Sequence, residues 1–270
     1  MSTSDKPHRA RKRFGQNFLH DHHIINQIVR SIRPQETDNL VEIGPGKGAI
    51  TELLLDRCQS LNVVELDRDL IPLLQARFSQ DPRFHIHEAD ALAFDFGKLG
   101  SLDKPMRIVG NLPYNISTPL IFHLLSYAPI VKDMHFMLQR EVVLRMAAGV
   151  NENNYGRLGI MTQYRCRVEH LFDVGPECFD PAPKVDSAIV RLSPITEPTH
   201  KARNIDTLDT VVKTAFNQRR KTLRNTLKSL FSVDELGSLA VNPTLRPENV
   251  AIDDYIRLAN FLEERSAAPQ

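Results

Sequence analysis

Cysteine is scarce in this 270-residue chain, and its pattern excludes more than it supports. Cys58, Cys166 and Cys178 lie far apart and form no C-x-x-C pair, so neither a disulfide framework nor a thiolate metal site is expected, and the usage suits a reducing cytoplasm. The ten histidines are scattered. His85 and His87 would share a strand face and His22 adjoins His23, but no Cys/His/Asp spacing suggests a metal, and none is expected. Long apolar runs are missing too: the best are broken by charge, His or Pro within about a dozen residues, short of the roughly 20 that cross a bilayer, so no membrane association is expected. The opening residues carry His8, Arg9, Arg11, Lys12 and Arg13 with no apolar stretch behind them, which argues against a secretory signal; Asp5 and the brevity of the run argue against an organelle presequence. A net charge of +1 is too small for a protein that grips nucleic acid with its whole surface.

What is present is ordinary in bulk and uneven in place. Apolar residues make up 41% and charged residues 25%, as in a typical globular protein. The length suits one α/β domain with a small appendage, divided here as 1–198 and 199–270 at the linker Pro194 to Pro198. Basic residues gather in Arg9 to Arg13 and Lys213 to Lys228, whereas Asp234 to Glu264 leans acidic, which predicts a basic face.

The stretch Gly110-Asn111-Leu112-Pro113-Tyr114-Asn115-Ile116-Ser117-Thr118 carries the densest chemistry. It follows the apolar run Met106 to Val109, which reads as a buried parallel strand, and Ser117 or Thr118 before Pro119 reads as the N-cap of a helix over Leu120 to Leu125. Asn111 to Tyr114 therefore lie on a strand-to-helix loop, where open α/β sheets bind ligands. The exocyclic amine of a nucleobase is a poor nucleophile because its lone pair is delocalised into the ring. The Asn111 side-chain carbonyl and the Leu112 backbone carbonyl can accept its two N–H groups and draw the nitrogen towards a tetrahedral geometry. Pro113 stiffens the turn, and Tyr114 offers a face for a base, worth roughly 1–3 kcal/mol. An ordinary Asn/Pro turn with a packed tyrosine is the plain alternative.

Upstream, Asp21 reads as the N-cap of a helix over His22 to Ile32, and the strand Leu40 to Ile43 runs into Gly44-Pro45-Gly46-Lys47-Gly48. Gly44, Gly46 and Ala49, with Glu65 about twenty residues on, also fit the loose dinucleotide pattern. It is not a Walker A loop, because Lys47 precedes Gly48 and not Ser or Thr. A second strand, Asn62 to Glu65, ends in a carboxylate suited to both hydroxyls of an adenosyl ribose. A helix follows over Asp69 to Phe78. A third strand, Phe84 to His87, leads to Asp90, placed to accept from an adenine amine with Ala91 and Leu92 beside the ring. Each acid singly can be a helix cap or solvated loop residue. In series with Asn-Leu-Pro-Tyr after strand four they describe a bound nucleoside, and hydride transfer leaves the last two features unexplained.

Further along, Asp133 to Leu138 reads as a fifth strand, Arg140 to Ala148 as a helix and Ala188 to Leu192 as a last strand. Pro181 and Pro183 hold Phe179 to Ser187 extended, which would present Phe179 as the wall opposite Tyr114; a packed core Phe is the alternative. Helices are expected over Ile205 to Phe216, Arg219 to Phe231, Val233 to Leu239 and Ile252 to Glu264. In the second, Leu223, Leu227 and Leu230 form an apolar stripe while Arg220, Arg224 and Lys228 recur on another face, with Arg219 and Lys221 adjacent. Such a stripe is either solvated or holds a phosphate backbone.

The segments FGQNFL, VEIGPGKGAIT, ELDRD, GNLPYNIST, FDPAPKVDSAIVRL and FNQRRKTLRNTLK, in this order over nearly the whole chain, resemble the bacterial ribosomal RNA adenine dimethyltransferases of the KsgA (RsmA) type. The resemblance implies a Rossmann-like class I methyltransferase sheet with a small C-terminal all-helical domain. It implies S-adenosyl-L-methionine as donor and methyl transfer to N6 of two adjacent adenosines near the 3′ end of 16S rRNA, within an immature small ribosomal subunit in the cytoplasm. The implied donor site comprises Asn17, Leu19, Gly44, Gly46, Glu65, Leu66, Asp90, Ala91 and Asn111. Asn111, Leu112, Pro113 and Tyr114 would orient the target base, with Phe179 opposite. Arg9, Arg11, Lys12, Arg13, Arg219, Arg220, Lys221, Arg224 and Lys228 would meet RNA. Lys47 departs from the pattern, standing where a small or apolar residue is expected. A monomer is expected, as no self-association pattern is evident. The rivals are a large-subunit dimethyltransferase of the macrolide-resistance type, a DNA adenine methyltransferase and a non-catalytic ribosome-assembly factor.

Overall fold

Strands covered on both faces are apolar at nearly every position, and such runs alternate here with helical segments, the pattern of a parallel α/β sheet. A computed structural model of the protein describes residues 16–197, 199–218 and 220–267. In chain order it contains β1 (Phe18–Leu19), α1 (His22–Ile32), β2 (Asn39–Ile43), α2 (Thr51–Leu55), β3 (Ser60–Glu65), α3 (Ile71–Phe78), β4 (Phe84–Glu88), β5 (Met106–Asn111), α4 (Ser117–Leu125), β6 (Val131–Gln139), α5 (Arg140–Ala147), α6 (Arg157–Gln163), β7 (Cys166–Val174), β8 (Phe179–Asp180) and β9 (Ser187–Pro194). Then follow α7 (Ile205–Phe216), α8 (Leu223–Thr226), α9 (Val233–Ser238) and α10 (Ile252–Ala267). No helix among the described residues is long and apolar enough to cross a membrane.

Seven strands form one sheet in the order β4-β3-β2-β5-β6-β9-β7. Strands β2 to β6 are mutually parallel, and β9 runs antiparallel to β6. Every residue of β2 is buried. Helix α1 starts where its sequence says: Asp21 accepts from the Ile24 N–H at 2.9 Å, and Ile25, Ile28, Val29 and Ile32 enter the core. The short pair β1–β8 sets Phe18 opposite Asp180 and Leu19 opposite Phe179.

The chain divides into two compact units: the chain up to Val143 with Val168–Pro194, and Leu144–Arg167 with the chain from Ile195 onward. A division at residue 198 misses 144–167, which pack among the C-terminal helices. The buried Tyr155 hydroxyl donates to the Val250 carbonyl at 3.0 Å, and Arg157 grips Asp209 with two bonds of 2.6 and 2.8 Å. Contacts so distant in sequence leave no local signature. In this second unit Leu208, Val211, Val212, Leu223, Leu227, Tyr255 and Leu258 are buried.

Arg107 is a charge inside a buried strand, and its surroundings explain how it stays there. Its Nε and Nη2 donate to the two oxygens of Asp133 at 2.9 and 2.8 Å, and Nη1 donates to Asp38 at 2.6 Å. The remaining N–H groups reach the Ile32 carbonyl at 2.6 Å and the Arg33 carbonyl at 3.2 Å. The guanidinium thus ties the C-terminus of α1, the approach to β2, and β5 and β6 together at the edge of the sheet where these strands begin. Burial pushes the Asp38 carboxyl up, but bonds from Arg107, the Gln35 N–H and Lys132 outweigh it and hold the group below the usual range. Arg107→Ala leaves two acids without their partner and is expected to cost about 3–5 kcal/mol in urea denaturation. Because the Asp38 pKa is depressed on folding, its stabilisation is present at neutral pH and is lost as pH falls through the acid range; in Arg107→Ala this acid-range dependence should flatten.

Candidate active site

Parallel pairing aligns the ends of four strands. Ile43 lies beside Val64 and Gly110, and Glu65 beside Glu88, so the loops after β2, β3, β4 and β5 emerge along one edge. Further bonds hold them together: Gly44 N–H to the Val64 carbonyl at 2.9 Å and Ala89 N–H to the Glu65 carbonyl at 3.0 Å. The loops surround a cavity of about 470 Å³, within the range that takes small ligands. Asn17, Leu19, Gly44, Gly46, Glu65, Leu66, Asp90, Ala91, Asn111, Leu112, Pro113 and Tyr114 all line it.

The glycine loop turns by left-handed backbone, with φ of +65° at Gly44 and +60° at Gly46. A Cβ on Gly46 would stand 3.2 Å from the Phe18 ring, so the residue also lets β1 approach the loop. Lys47 finds a use in the same contact: its Nζ sits 4.6 Å from the Phe18 ring centroid, a cation–π contact across the loop. Gln16 donates to Asp67 at 2.8 Å, and the Asn17 carbonyl accepts from Asn111 Nδ2 at 3.1 Å. The segment 16–19 therefore touches the glycine loop, the loop after β3 and the loop after β5.

That last bond sets the chemistry of Asn111. With Nδ2 engaged by Asn17, Oδ1 is the atom left to accept from a ligand. Leu112 is held by burial and by its N–H bond to the Met137 carbonyl at 3.2 Å. The Tyr114 hydroxyl bonds Ser187 Oγ at 2.6 Å, and burial raises its pKa, so the neutral phenol fixes the ring. The helix after the loop begins differently from the sequence expectation. Ser117 is the first residue of α4 and Ile116 occupies the cap position without a side-chain bond; Ser117 Oγ instead donates back to the Tyr114 carbonyl at 3.2 Å.

Five acids line the cavity: Glu42, Glu65, Asp67, Asp90 and Asp180. Glu65 is buried, which pushes its pKa up, against backbone N–H bonds that include one from Asp67 at 2.8 Å. Asp90 is exposed and accepts from the Leu92 N–H at 2.9 Å with one oxygen. Sequence reasoning passed over Glu42 and Asp67. Glu42 lies inside an apolar strand directly before the glycine turn, and an acid in that setting was the available signal. Burial pushes it up to about 7, opposed by the Thr51 hydroxyl and aided by the charge of Glu65. Asp67 is 1% exposed and accepts from both Gln16 and the Asp69 N–H. Among the described residues no His/Cys/Asp/Glu group could hold a metal ion.

Two expectations need correction. Phe179 does not face Tyr114 across the cavity: it is 4% exposed and packs in the core, because pairing with Leu19 turns it inward while its neighbour Asp180 lines the cavity. The basic stripe does not ride on one long helix. Arg220 and Lys221 lie in a turn, Arg224 in the four-residue α8, and Lys228 beyond it; all four are exposed. The helix cannot extend backwards through extended Thr222, and the Leu223 and Arg224 N–H groups bond the Leu245 and Pro243 carbonyls at 2.8 and 3.0 Å. Arg9, Arg11, Lys12, Arg13 and Arg219 lie outside the described residues.

The family model for ribosomal RNA adenine dimethylase matches residues 7–264. The chain is 62% identical over 255 residues to ribosomal RNA small subunit methyltransferase A of Saccharophagus degradans, covering 94% of this chain and 95% of that one. The protein of the same name from Pseudomonas aeruginosa is 60% identical, with 95% and 96% covered. Among solved structures, a dimethyladenosine transferase from Plasmodium falciparum superposes with a TM-score of 0.81 at 27% identity, covering 92% of this chain and 98% of that one. The 23S rRNA methyltransferase ErmE gives 0.71 at 25% identity, with 92% and 100% covered. The sheet is thus that of the Rossmann-like class I methyltransferases, whose donor is S-adenosyl-L-methionine, and the chain belongs to the ribosomal RNA adenine dimethylase family.

Proposed function

We propose that this protein methylates N6 of two adjacent adenosines near the 3′ end of 16S rRNA to N6,N6-dimethyladenosine, acting as a cytoplasmic monomer on an immature small ribosomal subunit. The observation that carries the reading is the Asn111 amide: its nitrogen is tied to Asn17, its oxygen is left to accept, and it shares a cavity with Glu65 and Tyr114. The small-subunit substrate rests on relatives of that name at 60–62% identity, against 25% for ErmE.

The residues present fit the donor. Glu65 offers a carboxylate to ribose hydroxyls, charge-assisted bonds of about 1.5–3 kcal/mol each. Asp90 keeps an oxygen for an adenine amine, Leu66 and Ala91 give apolar walls, and Gly44 and Gly46 let backbone approach. Asn17, Leu19 and Asn111 close the site towards the target. S-adenosyl-L-methionine supplies a methyl group on cationic sulfur, electrophilic enough to need neither metal nor covalent enzyme intermediate. The protein contributes position and polarisation. Asn111 Oδ1 and the Leu112 carbonyl would accept the two N–H groups of the amine and leave its lone pair free to take the methyl group. Pro113 limits the movement of that turn. Tyr114 stacks on the base, and Ser187 keeps the ring at one angle. Phe179 takes part only if the base displaces it from the core. Exposed Arg220, Lys221, Arg224 and Lys228, with Arg9, Arg11, Lys12, Arg13 and Arg219, supply cations for RNA phosphates.

Small subunits lacking the modification should accept labelled methyl groups from S-adenosyl-L-methionine, with N6,N6-dimethyladenosine identified after nuclease digestion. Asn111→Ala should lower the rate by about 10²–10³-fold while donor binding persists. Label in large-subunit RNA or DNA instead would overturn the proposed substrate, and subunit binding without transfer would favour the assembly-factor reading. Tyr114→Ala should cost about 1–3 kcal/mol of target binding, and Tyr114→Phe, which keeps the stacking face, far less. RNA affinity should fall with salt at a log–log slope of roughly −0.7 per phosphate contacted, and each charge removed from the basic set should reduce that slope. A slope unchanged by Lys221→Ala and Arg224→Ala together would remove those residues from the interface.

A further inference from the structure

Glu42 is placed where a fixed carboxylate has little support. It is 2% exposed, on a strand whose residues are all buried, yet it lines the cavity. From α2 the neutral hydroxyl of Thr51 donates to Oε2 at 2.7 Å. From β3 it faces Glu65, a second buried acid, and the next strand on its other side, β5, brings neutral Asn111 to the same cavity. Asp67, Asp90 and, from β8, Asp180 add acids around that space, while Lys47 is engaged over the Phe18 ring and His20 stands on the wall by β1. Among the described residues no cation pairs with Glu42. A buried acid so placed either stays protonated or waits for a cation to enter the cavity.

We infer that Glu42 discriminates the cationic methyl donor from its neutral demethylated product, ionising when the sulfonium charge occupies the cavity and holding a proton when that charge is gone. The inference rests on reading the cavity as the donor site. Donor and product share adenosine, amine and carboxylate and differ in one methyl group and one charge, so a group that responds to that charge separates them. The protons balance over one turnover: the target amine loses one and Glu42 gains one as the charge on sulfur disappears. Product release is then favoured without loss of the adenosine contacts that both molecules make.

Burial pushes the Glu42 carboxyl up to about 7, and a cation beside it lowers that value. The sign follows. Donor affinity is full above about pH 7, where Glu42 is already ionised, and falls as pH drops, because a proton must first leave. The donor-to-product affinity ratio should therefore rise by up to tenfold per pH unit below pH 7 and level off above it.

Isothermal titration of the full chain with S-adenosyl-L-methionine and with S-adenosylhomocysteine, in buffers of different ionisation enthalpy, reads the protons directly. Near pH 6.5 the donor should release up to one proton more than the product. Glu42→Gln should abolish that difference and make the affinity ratio independent of pH, while S-adenosylhomocysteine binds within about threefold of wild type. Thr51→Val removes the bond that favours the ionised form and should move the break in the ratio to higher pH. An equal proton count for the two ligands in the wild type overturns the inference and leaves the donor site intact. A difference that survives in Glu42→Gln overturns it in favour of Glu65. Binding of neither ligand overturns both the inference and the reading of the cavity.

Discussion

The parallel register of β2, β3, β4 and β5 is the constraint on which the site depends. Backbone pairing fixes Ile43 beside Val64 and Gly110, and Glu65 beside Glu88, before any functional side chain is considered. A slip of one residue would exchange the faces of each strand and withdraw the loops from one another. Arg107 secures that register from the opposite edge of the sheet, joining β5 to β6 and to the chain on either side of Pro34. Stability and site geometry are therefore linked through the same strands, with charge buried at one edge and chemistry exposed at the other.

The segment 16–19 gives the cavity its second wall and ties three of its loops together. One short stretch bonds Asp67 through Gln16, Asn111 through the Asn17 carbonyl, and lies on the glycine loop through Phe18. The loop proposed to hold the target amine is thus oriented by Asn17, a residue proposed for the donor side. Positioning of this kind suits direct displacement, where the protein supplies orientation and polarisation while the reagent supplies the driving force.

Much of this was legible in the sequence, for physical reasons that differ by residue. Strands covered on both faces must be apolar throughout, so β2, β3 and β5 were evident. The acid ending β3, the acid after β4 and the Asn-Leu-Pro-Tyr loop could be placed on the cavity because ligand pockets in such sheets form at the carboxyl ends of strands. Helices α1 and α7 lie over the expected ranges, α1 behind its Asp21 cap, while the Asn204 cap of α7 emerged only from the structure. Glu42 and Arg107 were hidden because each stands within an apolar run, and only the three-dimensional partners reveal why a charge is there. The Arg219 to Phe231 helix was overread, since Leu223, Leu227 and Leu230 keep helical spacing through a single helical turn followed by bonded turns, while distant carbonyls take the first N–H groups. Phe179 was assigned to the wrong side because a two-residue pairing with β1 decides its direction. Residues 144–167 leave the first unit through contacts almost a hundred residues away, such as Tyr155 with Val250.

The most direct test of the account is a crystal structure of the protein with S-adenosylhomocysteine bound. It should show the ribose hydroxyls on Glu65, the adenine beside Asp90 and Ala91, and the sulfur directed towards Asn111 and Tyr114. Binding outside the cavity, or with the adenine against Asn111, would contradict the assignment of donor and target to this one line of strand ends.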